Sequence, residues 1–494
     1  MEPALLGALS AHAGNRPAAP ALRQGEYVLS YRELLEEIER VQGRLRGERF
    51  GLLLANHPAW AVLDLALLRG GKLCVPLPPF FSAVQLRHSI ADAGLDTLVT
   101  DQPQVVTELC GLQPERSVWV AGRGLAVFRL DPKVRPELPS GVVKVTYTSG
   151  TTGNPKGVCL TWDAIQPVVD ALRAAGEVDQ SDVALTLLPL STLLENIGSL
   201  YVPLQAGALA ALPSPAETGL RGAAGLDSRR LLDCLGRYQP TGVILIPQLL
   251  QALVEAVEAG LPLPKSLRFA AVGGAPVARR LMVRAQAVGL PVYQGYGLSE
   301  AASVVALNRP GRNRPGSVGR PLPHLRLRIA DDGEVLVAGT LFSGYLGETG
   351  PDLGRGPLQD WATGDLGYLD SDGYLYLTGR KRHVFITSFG RNVAPEWVEC
   401  ELQAQPAIAQ SAVFGEARAF NVAVIVPRPG YTPSAVERAV AAVNASLPDY
   451  ARVHRYLLTG QPFSTDNGLL TGTGRVRRER VDQHYRQALE AFYQ

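Results

Sequence analysis

Thr148–Gly157 reads TSGTTGNPKG, ten residues with three glycines, four hydroxyl side chains, one proline and one lysine. Just before it, Val142 to Tyr147 (VVKVTY) is β-branched and aromatic, the composition of a buried strand. Just after it, Thr161 to Ala175 carries apolar residues at helical spacing, with Thr161 or Asp163 available as an N-cap. A strand that runs through a Gly/Ser/Thr loop into a helix is a place to hold phosphate. Glycine lets backbone N–H groups approach and point inward, hydroxyls donate hydrogen bonds, and Lys156 adds positive charge. The loop is not a Walker A motif, because Lys156 follows Pro155 and precedes Gly157 where that motif requires Gly-Lys-Ser/Thr.

The 494 residues are enough for about two to four domains. With 46% hydrophobic and 19% charged residues the composition is globular, and a formal charge of +2 gives no basis for nucleic-acid binding or electrostatic membrane attachment. The five cysteines (Cys74, Cys110, Cys159, Cys234, Cys400) are odd in number and lack CxxC spacing, which suits a reduced, cytoplasmic protein without a cysteine metal site. The N-terminal MEPALLGALSAHAGNRP has Glu2, and no Lys or Arg, before its short apolar run, so it does not read as a signal peptide. The best apolar run, Gly242 to Val257, is broken by Pro247, Gln248, Gln251 and Glu255, so no transmembrane segment is expected.

From Val28 onward short strands and helices alternate. Phe50 to Ala55, Leu73 to Val75, Thr97 to Val99, Val183 to Leu188, Gly242 to Ile246, Arg268 to Val272 and Val292 to Gln294 read as strands. Tyr31 to Arg46 (capped by Ser30), Pro58 to Arg69, Val84 to Ala93, Leu193 to Leu204, Pro247 to Ala259 and Val277 to Val288 read as helices. Such repetition predicts an α/β fold: stacked, mostly parallel sheets covered by helices, with ligands at the C-terminal ends of the strands. Near Arg309 the texture changes to short strands and turns, with Asp331-Asp332-Gly333 and Ser371-Asp372-Gly373 as hairpin signals, which predicts a β-rich subdomain. Beyond Gly379–His383 the chain has apolar segments of its own, enough for a small, mobile α+β C-terminal domain. The expected division is 1–380 and 381–494, with a hinge near Arg382.

Further clusters follow the opening loop in a fixed order: Gly273-Gly274-Ala275-Pro276, Gln294 to Ala301 (QGYGLSEA), Trp361 to Tyr368 (WATGDLGY), Leu377 to Arg380 (LTGR) and Ile386 to Glu399 (ITSFGRNVAPEWVE). Together with TSGTTGNPKG they closely resemble the adenylate-forming enzymes, a superfamily of acyl-CoA synthetases, aryl-CoA ligases, luciferases and peptide-synthetase adenylation domains. The chain is most similar to fatty-acyl or long-chain acyl-CoA synthetases. The resemblance implies an AMP-forming acid–thiol ligase that uses ATP and Mg²⁺ and transfers its acyl group to CoA or to a carrier-protein phosphopantetheine. Thr148, Ser149, Gly150, Thr151, Thr152, Gly153, Lys156 and Gly157 would hold phosphate, and Gly273, Gly274 and Ala275 would line the adenine. Tyr296 would stack on that base beside Gly297, Ser299 would reach the α-phosphate, and Glu300 would bind Mg²⁺. Asp365 and Arg380 would hold the ribose, and Gly390 would let the C-terminal domain pass close to the thiol arm.

Four positions depart from the family pattern, one of them Ser299, which stands where the family usually has threonine and keeps the donor. The gating histidine is replaced by Thr192 in LPLSTLLE (Leu188 to Glu195), and the hinge Asp or Lys by Arg382. In FSTDNGLLTGTGRVRR (Phe463 to Arg478) the catalytic lysine is replaced by Arg475, which keeps the charge on a broad planar fork. No aspartate lies between Thr186 and Glu195, where adenylation domains for amino acids place one to hold the substrate ammonium, so the resemblance disfavours an amino-acid substrate. The resulting expectation is activation of a fatty or other apolar carboxylic acid to acyl-AMP and transfer to CoA. The alternatives are loading of a carrier protein, and a degenerate nucleotide- or acyl-binding member with weak or no adenylation.

Overall fold

The structure is a computed structural model that describes residues 3–148, 155–221, 225–348, 359–471 and 474–494. Among the described residues, a nine-stranded and a seven-stranded sheet form the bulk of the chain, beside a four-stranded sheet and a small three-stranded one. The middle strands of the nine-stranded sheet (Val183–Leu185, Gly242–Leu245, Phe269–Val272, Val292–Tyr296) pair in parallel, and antiparallel pairs close its edges. In the seven-stranded sheet Arg49–Leu53 lies parallel to both Leu73–Pro76 and Thr97–Thr100. These are the apolar runs of the sequence, buried on both faces as parallel strands must be.

Helices lie between the two large sheets and on both outer faces. Phe50 and Leu52 point into the shared core with Trp60, Leu65, Ile165 and Leu204, whereas Leu53 and Leu98 point to the outer layer with Phe81 and Leu86. This alternation follows from the two-residue period of a strand. Helix Pro58–Arg69 is buried along nearly its whole length, as a helix packed between sheets should be, and starts with proline in its first turn. Helices Tyr31–Gln42 and Ala83–Asp92 begin with capping boxes, Ser30 with Glu33 and Ser82 with Gln85. Each such cap contributes about 0.5–2 kcal/mol.

One expectation needs correction. Helix Trp162–Ala175 does start on Thr161, whose side chain accepts from Ala164 N–H, but it does not follow the Gly-rich loop directly. Strand Lys156–Thr161 intervenes and pairs antiparallel with Val142–Thr148, so the loop closes a hairpin. The run VCLT is as β-branched and apolar as VVKVTY, and cross-strand pairing overrides the helical spacing there. Two other elements also differ from the sequence reading. The strand from Val183 ends at Leu185, and the helix expected over Leu193–Leu204 is α-helical at Leu193–Glu195, π-helical at Asn196–Tyr201 and α-helical again at Val202–Ala206.

Strands Leu325–Ile329, Glu334–Gly339, Trp361–Leu369 and Leu375–Arg380 pair in the antiparallel four-stranded sheet. The C-terminal domain has a mixed sheet of Ile408–Phe414, Asn421–Pro427 and Val453–Leu458. Its two faces carry separate apolar clusters built only from residues after Val384. It packs on the large domain through Cys400 and Ala404 of the Pro395–Gln403 region, an Arg280–Glu401 pair and an Arg428–Glu255 pair at 2.9 Å.

Candidate active site

The site forms where the parallel strands of the nine-stranded sheet end, next to the Gly-rich hairpin. Thr148 and Lys156 are cross-strand partners at the mouth of that hairpin, and Gly157 pairs with Tyr147. Ser149, Gly150, Thr151, Thr152 and Gly153 lie outside the described residues. The hairpin is anchored below its tip by His88, whose ring nitrogen donates to the Pro155 carbonyl at 3.0 Å, and by Tyr147, whose hydroxyl donates to Asp92 at 2.7 Å.

Gly273, Gly274 and Ala275 follow strand Phe269–Val272, with Gly274 at φ +81°. Gly297 follows Tyr296 at the end of the next strand; a Cβ there would fall 1.6 Å from the Ser303 carbonyl oxygen, so only glycine fits. Ser299–Ala301 is a single 3₁₀ turn that carries Glu300, and the next two residues, Ala302 (φ +49°) and Ser303 (φ +103°), both have positive φ. Such backbone costs about 1–3 kcal/mol per residue and is a feature of sites held in a required geometry.

Two clusters gather around these elements. In the first, the Tyr296 hydroxyl donates to Asp365 Oδ2 at 2.6 Å, and Arg380 Nε meets Asp365 Oδ1 at 2.7 Å. Asp365 and Arg380 are register partners on adjacent strands, which sets the second contact. Burial, and then the Asp365 charge, hold the Tyr296 phenol far above its ordinary value, so it stays a donor. Each carboxylate oxygen still has lone-pair capacity for a ribose hydroxyl. In the second cluster the Tyr345 hydroxyl donates to Glu300 Oε1 at 2.6 Å, and Lys156 Nζ lies 4.6 Å from the centre of the Tyr345 ring. Tyr345 and His88 escape a reading of the sequence, because FSGYLGE looks like a turn and His88 sits alone on a helix.

Arg475 reaches this site from the C-terminal domain and donates to the Gly274 carbonyl at 3.0 Å. Its side chain is exposed. Desolvation by neighbouring protein, and then the charges of Arg380 and Arg382, lower its pKa, while Asp365 opposes the shift; a guanidinium nevertheless stays charged at neutral pH. Arg382 is likewise lowered by burial and Arg380. Between them, Lys381 is tied to Asp332 at 2.6 Å and Glu334 at 2.8 Å, and His383 meets Glu396. Gly390 is not brought into the site. Its turn at φ +72° closes on Thr387, and a Cβ there would meet nothing within 4 Å.

The Thr192 hydroxyl donates to the Pro189 carbonyl three residues earlier at 2.7 Å. Leu187, Leu190, Leu193 and Ile197 are buried. Glu195 is fully buried, with Oε1 accepting from Leu187 N–H at 2.8 Å, and desolvation pushes its pKa up to about 8. The unfolded chain releases this proton near 4.5, whereas the folded chain holds it to about 8. The stabilising contribution is therefore complete at low pH and is lost progressively between those values. We predict that Glu195→Gln flattens the decline in melting temperature between pH 5.5 and 8.5. A variant that loses stability with pH as steeply as the parent would exclude Glu195 as the cause.

Among the described residues no group of three His, Cys, Asp or Glu side chains could cage a metal ion. Mg²⁺ does not need one, since it keeps water and is held by one or two carboxylates together with substrate phosphates. Glu300, linked through Tyr345 to Lys156 of the Gly-rich hairpin, has the donor chemistry for that role.

Comparison with known proteins gives a consistent result. Residues 9–356 match a family model described as AMP-binding enzyme, and residues 383–494 one described as AMP-binding enzyme C-terminal domain. The long-chain-fatty-acid–CoA ligase FadD15 of Mycobacterium bovis is 29% identical, covering 90% of this chain and 88% of that protein. A feruloyl-CoA synthase of an Amycolatopsis species is 31% identical over 84% of this chain and 87% of its own. The structure of the anthranilate CoA ligase AuaEII in complex with anthranoyl-AMP superposes with a TM-score of 0.81 at 21% identity, covering 98% of this chain and 97% of that one.

Proposed function

Because the chain belongs to the AMP-binding enzyme family, as an AMP-forming acid–thiol ligase, we propose that it activates a fatty or other apolar carboxylic acid with ATP and passes the acyl group to CoA. The observation that carries this reading is the convergence of Lys156, Glu300, the Tyr296–Asp365–Arg380 cluster and Arg475 at one end of the nine-stranded sheet. The apolar segment Leu187–Ile197, without an aspartate to hold an ammonium, supports an apolar acid.

In the first half-reaction a carboxylate oxygen of the acid attacks the α-phosphorus of ATP, and the bond to the β-phosphate oxygen breaks, releasing pyrophosphate. Such transfer depends on position and charge neutralisation rather than on covalent help from the protein. Thr148 and Lys156 would steady the departing phosphates, Ser299 would donate to the α-phosphate, and Asp365 with Arg380 would hold the ribose. Arg475 would orient the acid carboxylate from above. Glu300 would hold Mg²⁺, which when bound would neutralise charge on the phosphate oxygens. In the second half-reaction a thiolate attacks the acyl carbonyl and AMP leaves. For that step the domain 381–494 would turn about a hinge near Arg382, withdrawing Arg475 and presenting Gly390. The five free cysteines accord with a cytoplasmic setting.

The decisive experiment is acid-dependent pyrophosphate release over a panel of fatty, aromatic and amino acids, followed by transfer to CoA or to a phosphopantetheinylated carrier protein. Release with apolar acids and transfer to CoA is the expected result. Release followed by transfer only to the carrier would replace CoA as acceptor, and tight ATP binding without release on any acid would overturn the reading.

A further inference from the structure

Residues 342–346 form a strap between the two charged ends of the site. Phe342 N–H donates to the Glu300 carbonyl at 2.8 Å, and Leu346 N–H donates to the Gly157 carbonyl at 2.8 Å. Between these ends Ser343 N–H donates to Cys159 O at 2.9 Å, Cys159 N–H donates to Gly344 O at 3.1 Å, and Tyr345 bridges Val158. The backbone of this strap thus follows the hairpin strand that begins with Lys156.

The Tyr345 side chain repeats that connection in charge. Its hydroxyl edge holds the Glu300 carboxylate at 2.6 Å and its ring face holds the Lys156 ammonium at 4.6 Å. Phe342 and Trp361 pack edge-on against the ring, with centroids 5.1 and 6.2 Å away, which restricts its rotation. Were the ammonium and the carboxylate to pair directly, each would be neutralised before a ligand arrived. With Tyr345 between them, each instead keeps its charge on a neutral, fixed partner.

We propose that Tyr345 is a positioning residue that aims Glu300 at a divalent cation and holds Lys156 at the phosphate hairpin. This inference rests on the ATP-site reading above. Two parts of one side chain do separable work, so two substitutions separate them. Tyr345→Phe removes only the hydroxyl, and Tyr345→Leu removes the aromatic face as well.

The test is equilibrium binding of ATP by calorimetry, with Mg²⁺ and with EDTA, on the full chain. Tyr345→Phe should weaken binding about tenfold with Mg²⁺ and leave binding in EDTA unchanged. Tyr345→Leu should in addition weaken binding in EDTA by about threefold to tenfold. On a Glu300→Gln background, Tyr345→Phe should add nothing, because the group it orients is gone. Equal weakening by Tyr345→Phe in both media, no weakening in either, or full additivity with Glu300→Gln would each overturn the proposal. A parent protein that binds no ATP overturns the ATP-site reading and this inference with it. A parent that binds ATP with a Mg²⁺ dependence abolished by Glu300→Gln and untouched by Tyr345→Phe overturns the role of Tyr345 alone.

Discussion

Replacing Arg475 with alanine is expected to slow acid-dependent pyrophosphate release by about a hundredfold to a thousandfold. Thioester formation from a supplied acyl-adenylate should change by less than about threefold in the same variant. The asymmetry follows from the geometry. Arg475 donates to the Gly274 carbonyl at 3.0 Å and shares its surroundings with Asp365, Arg380 and Arg382, so under the proposed function it would add a cation where negative charge gathers during attack on the α-phosphorus. Once the adenylate exists, that charge has gone with the pyrophosphate. Arg475→Lys should fall between the parent and the alanine variant, since an ammonium keeps the charge but loses the planar fork. Single-turnover measurement of the two half-reactions separates the cases, and equal losses in both would exclude Arg475 from the adenylation step.

The second large effect is on stability. Lys144, 3% exposed, and Asp64, 1% exposed, form an ion pair at 2.8 Å in the core shared by the two large sheets. Lys144 Nζ also donates to Asn196 Oδ1 at 2.5 Å and to the Tyr201 hydroxyl at 2.9 Å, and Tyr201 in turn donates to Asp64 at 2.5 Å. Burial and the Asp64 charge hold the Tyr201 phenol far above its usual value, so the network has a permanent donor there. Lys144→Met strands the Asp64 charge and should lower stability by about 3–5 kcal/mol. Pairing it with Asp64→Asn should recover part of that loss, because no uncompensated charge then remains. Urea unfolding followed by tryptophan emission reads the change locally, since Trp60 lies against Lys144 and Trp162 against Tyr201. A loss under about 1 kcal/mol would mean that water reaches the site and the pair is not desolvated. The network fixes strand Val142–Thr148, the first strand of the Gly-rich hairpin, to the π-helical turn Asn196–Tyr201.

Much of this was legible in the sequence where the signal was local. The helix Pro58–Arg69 and the strands around Phe50, Leu73 and Val243 follow from apolar runs, caps and breakers, all confined to a dozen residues. The motifs around Lys156, Glu300, Asp365 and Arg475 were also readable, since each is a short string with its own composition. Reading failed where a long-range pairing decided the outcome. The strand Lys156–Thr161 exists because Val142–Thr148 lies beside it, and the residues 343–346 flank its other side. Neither neighbour can be inferred from the spacing of KGVCLT.

Periodicity and short strings of residue types were enough for the class of fold and the order of the motifs, and those motifs carried the resemblance to the family. Tertiary structure alone decided which of those residues meet. Tyr296 shares Asp365 with Arg380, Arg475 crosses from the other domain to Gly274, and Gly390 stays outside. It also turned an unremarked tyrosine in FSGYLGE into the link between Glu300 and Lys156. The physical reason is range. Local propensity acts over a few bonds, while a hydrogen bond between residues 45 positions apart exists only after sheets and helices have been packed.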